Sequence, residues 1–149
     1  MADFVRAART IASECACISV RRASRVLSRI YDEALKPLGV QASQLSVLVA
    51  VAHFGESGAA LGELAGALVM DRTTLTRNLR PLEKGGLLRV ARSPHDARSR
   101  LVLLTRAGER LLDAALPLWE QAQQRVHKSL GARNVAALRA ELGKLVEAV

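Results

Sequence analysis

The stretch Leu61-Gly-Glu-Leu-Ala-Gly-Ala-Leu-Val-Met-Asp-Arg-Thr-Thr-Leu-Thr-Arg-Asn-Leu-Arg-Pro-Leu-Glu-Lys84 decides how the rest of the chain is read. Its apolar residues fall into two helical sets, Leu61, Leu64, Ala65 and Leu68, then Leu75, Leu79 and Leu82. Each set recurs in steps of three and four, so each marks one side of a helix. Val69-Met70-Asp71 separates them as a turn, and Asp71 stands where a side-chain oxygen can cap the second helix. The pair predicts a helix-turn-helix whose second helix covers about residues 72–84. Away from its leucines that helix offers Arg72, Thr73, Thr74, Thr76, Arg77 and Arg80. A DNA-reading helix needs an apolar face to seat it, short polar groups near its N-terminus, and arginines for guanine edges or phosphates.

Working outward toward the C-terminus, Gly85-Gly86 closes this helix, and Leu87 to Ala91 and Arg100 to Leu104 have extended, apolar character around the polar stretch Arg92 to Ser99. They predict a two-stranded hairpin, a projecting wing over about residues 88–104. Arg89, Arg92, Arg98 and Arg100 crowd it. Arginine on a projecting tip suits a narrow, electronegative minor groove, with Arg98 expected at the tip. Asp96 is either a partner that orients an arginine or a plain turn former, and His95 reads as a further polar group near phosphate. Thr105 can cap a long helix to about Leu130, with Pro117 as its kink point. After Gly131 a last helix sets Val135, Leu138, Leu142 and Leu145 in a seam that asks for a partner.

Toward the N-terminus, Ser43 can cap a helix whose stretch Leu45 to Val51 is apolar nearly all round, which places it at the centre of the core. Before it, Ile18, Val26, Leu27, Ile30, Ala34 and Leu35 mark a helix from Cys17 to Leu35, stopped by Lys36-Pro37-Leu38-Gly39. Half the chain is apolar but only 3% is aromatic, a balance of Ala, Leu and Val that favours packed helices over a β-sandwich. The expected fold is therefore mainly α with a small β-hairpin wing, a winged helix-turn-helix dimerising through its N- and C-terminal helices.

The net charge of +8 is uneven: residues 61–106 hold nine basic and four acidic side chains and so carry +5 of it. Such a segment suits a polyanion, because phosphate contacts by Lys and Arg release counterions. Cys15 and Cys17 are too few for a disulfide framework, and no signal-peptide core or membrane-spanning run is found, so a cytoplasmic location with no membrane partner is expected. No metal or cofactor is expected, since His53, His95 and His127 are scattered through the chain away from the cysteines. No phosphate loop, carboxylate pair or nucleophile with a recognisable His and acid partner suggests an enzyme.

The segments Leu61-Gly-Glu-Leu-Ala, Asp71-Arg-Thr-Thr-Leu-Thr-Arg-Asn-Leu, Leu82-Glu-Lys-Gly-Gly-Leu87 and Asp96-Ala-Arg98-Ser-Arg100-Leu-Val-Leu-Leu-Thr105-Arg-Ala-Gly108 resemble the MarR family of transcription regulators. The resemblance runs from the Cys17 helix to the last helix. It implies a two-fold symmetric, triangular homodimer built from a dimerisation region over 1–42, a DNA-binding lobe over 43–104, and a connecting and dimerising region over 105–149, together one intertwined domain. It further implies a double-stranded, pseudo-palindromic operator and a small aromatic or phenolic effector bound between dimer region and lobe. Cys17 resembles the reactive cysteine of the family's hydroperoxide-sensing branch, with Cys15 beside it, and Tyr31 falls where one of that branch's tyrosines would fall; Ala42 replaces the second. The expected function is a sequence-specific regulator, a repressor released by a small molecule. The alternatives are a cysteine-based oxidant sensor and a non-specific architectural nucleic-acid binder.

Overall fold

Leu45, Val47, Leu48 and Val51 are all buried on α3 (Ala42–His53), the helix around which the rest is assembled. The computed structural model describes residues 2–93 and 99–148. Helix α3 starts two residues earlier than a Ser43 cap predicts. Gln41 is its N-cap, and the Gln41 backbone N–H donates to the Gln44 side chain at 2.9 Å. The Ala42 N–H donates to Asp32 Oδ1 at 2.7 Å, so the helix's first unpaired donors are met without the serine.

Two helices, α4 (Leu61–Ala67) and α5 (Arg72–Lys84), form the expected helix-turn-helix. Leu64, Leu75, Leu79 and Leu82 pack with Val47, Leu48 and Val51 in one core. A three-stranded antiparallel sheet closes it: β1 (Ala59–Ala60), β2 (Leu88–Arg92) and β3 (Arg100–Leu104), in the order β1-β3-β2. Strands β2 and β3 are the expected hairpin, while β1 is an addition, too short to show any alternation in the sequence. Gly58 makes its pairing possible. Its φ is +73°, and a Cβ there would lie 2.8 Å from Leu103 Cγ and 2.9 Å from the Val102 carbonyl oxygen.

Helix α6 (Arg106–Leu130) runs unbroken with Pro117 inside it and is capped as expected, Thr105 Oγ1 accepting the Gly108 N–H at 3.1 Å. It packs along α2 (Ala16–Leu35), and Leu35, Val40, Leu45 and Ala115 form a second core there. Leu45 thus faces one core and Val47 and Leu48 the other, so α3 joins the lobe to the long helices.

The two ends are packed differently. Helix α1 (Ala2–Glu14), not anticipated from the sequence, is set off from α2 by the extended Cys15, and its Phe4 and Ile11 are exposed. On α7 (Ala132–Glu147) Val135 is buried within the chain, Leu142 is half-buried, and Leu138 and Leu145 face outward. No single helix among the described residues is long and apolar enough to cross a membrane.

Candidate nucleic-acid interface

The face of α5 opposite its buried leucines is exposed from Arg72 to Thr74 and at Thr76, Arg77 and Arg80. Asp71 holds the start of the helix. Its Oδ1 accepts the Thr74 N–H at 2.8 Å and its Oδ2 the Thr74 hydroxyl at 2.6 Å. The Thr74 hydroxyl, then its backbone N–H, stabilise the carboxylate and hold it below the ordinary value of 3.8. The cap therefore occupies Thr74, and Thr76 donates to the Arg72 carbonyl at 2.8 Å. The Thr73 hydroxyl makes no hydrogen bond among the described residues, and none of Arg72, Arg77 and Arg80 joins an ion pair there. Arg72 leans back over Gly62 of α4, leaving Thr73, Arg77 and Arg80 as the groups most open to an outside partner. Before the helix, Val69 takes a positive φ of 51° in the turn, a strained conformation for a β-branched residue.

The wing adds a feature that depends on register. Arg92 stands directly opposite Arg100 across β2 and β3, and both are exposed. Like charges in this position repel, and a phosphate between or beside them removes the penalty. Arg89 pairs with Leu103 instead. His95, Asp96 and Arg98, expected at the wing tip, lie outside the described residues.

Helix α5 and the wing strands are joined to the long helix at one corner. Glu83 of α5 accepts a long hydrogen bond, 3.4 Å, from the Val90 N–H of β2. Thr105 donates its hydroxyl to the Gly86 carbonyl at 2.6 Å and its N–H to the Leu87 carbonyl at 3.1 Å. A Cβ on Gly108 would lie 2.2 Å from the Leu87 oxygen, so only glycine lets α6 come this close to the end of α5. Motif reading placed Gly108 in the wing pattern without showing this contact.

The cysteines lie elsewhere. Cys15 is half-buried at the α1–α2 break and Cys17 is exposed on α2. Tyr31, fourteen residues further along the same helix, is about 21 Å from Cys17 at the helical rise, so one chain does not bring them together. Tyr31 instead donates to Gln123 Oε1 on α6, and Gln123 Nε2 lies 3.3 Å from His127 Nε2. Burial raises the Tyr31 pKa above 10.0, with the Arg139 charge opposing the shift. Among the described residues no cluster of three His, Cys, Asp or Glu side chains is placed to hold a metal ion.

The resemblance implies an effector site between dimer region and lobe without naming its residues, and a cleft lies where the lobe meets the long helices. Its volume is about 490 Å³, and Tyr31 of α2, Leu45, Val49 and His53 of α3, Phe54 and Trp119 of α6 line it. Trp119 is substantially exposed on this wall.

The family model described as MarR family matches residues 38–99, which span α3, the helix-turn-helix and the wing. The HTH-type transcriptional regulator YwoH of Bacillus subtilis is 30% identical over 91 residues, which are 61% of this chain and 64% of that protein. The match therefore spans just under two thirds of that relative's length. The Mycobacterium tuberculosis transcriptional regulator MosR, in a crystal structure with DNA, is 38% identical, with 91% of this chain and 96% of that one covered and a TM-score of 0.80. A mutant of Escherichia coli MarR complexed with operator DNA is 27% identical, with the same coverage of 91% and 96% and a TM-score of 0.81. The open arginine face, the wing and these likenesses agree, and the chain belongs to the MarR family of DNA-binding transcriptional regulators.

Proposed function

We propose that the protein acts as a homodimer on a pseudo-palindromic operator, each protomer setting α5 in a major groove and its wing near the adjoining minor groove. The observation that carries this is the side of the lobe on which Thr73, Arg77 and Arg80 have no side-chain hydrogen bond or ion pair among the described residues while Arg92 and Arg100 confront one another on the wing. A helix in this setting reads base edges through its N-terminal half, and the wing arginines, Arg98 included, meet phosphate or the minor groove. Val135, Leu138, Leu142 and Leu145 on α7, with α1, supply the dimer contact, Val135 from its position inside the fold and the others by direct burial. The protein works as a repressor. An effector in the cleft between α3 and α6 favours a lobe spacing that does not fit the operator and so releases it.

The test is selection of genomic fragments by the purified protein, then titration of the best fragment against random DNA. A regulator prefers its operator by roughly 10³ or more. Arg77→Ala should weaken operator binding by about 1–3 kcal/mol and relax the preference at one position in each half-site. Equal affinity for all fragments, governed only by salt, would establish an architectural binder instead.

A thiol-sensing regulator is the second reading, favoured by the exposed Cys17 close to Cys15 at the helix break. Under it Cys17→Ser binds the operator normally and no longer responds to peroxide; a mutant that still responds removes Cys17 as the switch.

A further inference from the structure

We propose that a second cavity, between the wing and the start of α6, binds a free basic amino acid, its carboxylate on Arg89 and its two cationic groups on Glu56 and Asp113. The cavity has a volume of about 520 Å³, within the roughly 300–1,000 Å³ of small-molecule sites, and shares no lining residue with the cleft that holds Tyr31 and Trp119. Its charges come from three separate elements: Glu56 from the 3-10 turn Gly55–Ser57, Arg89 from β2, and Arg106, Glu109 and Asp113 from α6. Leu103, Leu104 and Leu112 give it an apolar wall.

Arg89 is turned away from the Arg92–Arg100 pair. Side chains alternate along a strand, so Arg89, three residues before Arg92, lies on the opposite face of the sheet beside Leu103. Within the cavity Arg106 is paired with Glu109 at 3.5 Å, whereas Arg89, Glu56 and Asp113 join no ion pair or hydrogen bond among the described residues. The frame that carries them is tightly fitted: a Cβ on Gly58, just after the turn, would lie 2.8 Å from Leu103 Cγ, and one on Gly108 of α6 would lie 2.2 Å from the Leu87 oxygen. The backbone thus sets the three charges around one opening, and a ligand that spans them finds its partners already in place. The complement of one guanidinium and two carboxylates is a molecule with one anionic and two cationic groups. Lysine and its homologues are such molecules, and their aliphatic stem can lie on the leucine wall while the charged ends stay wet. A guanidinium holds a carboxylate through two parallel N–H donors, and ammonium groups donate to carboxylates. An amino acid with an apolar side chain would leave one carboxylate without a partner, and a diamine would set its cations near Arg89 with no anion to offset them.

The experiment is calorimetric titration of the intact protein with L-lysine, L-norleucine and cadaverine. Norleucine keeps the stem and the α-carbon groups but lacks the side-chain ammonium; cadaverine keeps the stem and both ammonium groups but lacks the carboxylate. Glu56, Arg89 and Asp113 are exposed, so low ionic strength is used, where their charges are least screened. L-lysine should saturate one site per chain and bind about tenfold more tightly than either analogue, the loss expected for one charged hydrogen bond. Arg89→Gln should abolish the preference for L-lysine over cadaverine and leave its preference over norleucine. Glu56→Gln combined with Asp113→Asn should do the reverse, and melting curves like wild type without ligand would show that both variants fold. No binding of L-lysine by the wild-type protein overturns the proposal, as does binding of norleucine or cadaverine as tightly as L-lysine. Preferences that persist in both folded variants overturn it too, because the lysine would then be held elsewhere.

Discussion

The DNA-binding lobe and the terminal helices use the same residue types to opposite ends. In the lobe Leu48, Leu64, Leu75 and Val102 are each 0% exposed, and they come from α3, α4, α5 and β3. At the ends, Phe4 of α1 and Leu145 of α7 remain 68% and 59% exposed. The lobe therefore completes its core within one chain, whereas the ends leave apolar surface that only another surface can cover. The difference teaches where stability should depend on concentration: the lobe should unfold as a unit of its own, and the ends should lose their order with the proposed dimer.

The largest effect is expected inside the lobe. Leu75→Ala leaves a cavity where four elements meet and should cost about 3–5 kcal/mol, measured by urea unfolding, with operator binding lost in parallel. A variant that unfolds like wild type would show that the lobe does not depend on its own core. Next comes the opposite manoeuvre at the ends. Leu138→Asp combined with Leu145→Asp should weaken self-association at least about a hundredfold in sedimentation velocity, since two charges would be buried in the seam. The lobe's own melting should be retained. Loss of the lobe along with the dimer would break the comparison.

Two smaller effects sharpen it within the lobe. Arg100→Thr removes the like-charge confrontation with Arg92, so the free protein should gain a few tenths of a kcal/mol, about 0.2–1. The same change should weaken DNA binding and lower its salt dependence by about one phosphate contact per half-site. A variant that loses stability would show that the wing arginines repel less than their register indicates. The smallest effect belongs to Asp71. Its folded pKa lies below its ordinary 3.8, so its stabilising contribution is present above that value and lost as pH falls through the lowered folded value. Thermal melting of wild type and Asp71→Ala should therefore differ near neutral pH and converge at strongly acid pH. A constant difference would assign the effect to something other than the carboxylate.

The readable parts of the chain were those governed by neighbours in sequence. The leucine spacing of α5, the Asp71 and Thr105 caps, and the glycines that end α5 and α6 act over a few residues, and the helices formed where they pointed. The start of α3 was read from a preferred capping residue, Ser43, because a glutamine pair fills that role less often. Helix α1 was missed because its large apolar residues, Phe4, Val5 and Ile11, are few among alanines and polar side chains, and all three stay exposed.

By itself the sequence determined the helical plan, the helix-turn-helix, the wing strands and a basic middle segment, because periodicity, capping and charge are local or additive properties. The tertiary structure alone decided the rest. Arg92 opposes Arg100 only once the β2–β3 register is set, and Gly108 is required only once α6 meets the Leu87 carbonyl. The cleft arises where α2, α3 and α6 converge, and its lining belongs to no single segment. Contacts between residues distant in sequence exist only after the chain has closed on itself, and this is where the structure adds what the sequence could not show.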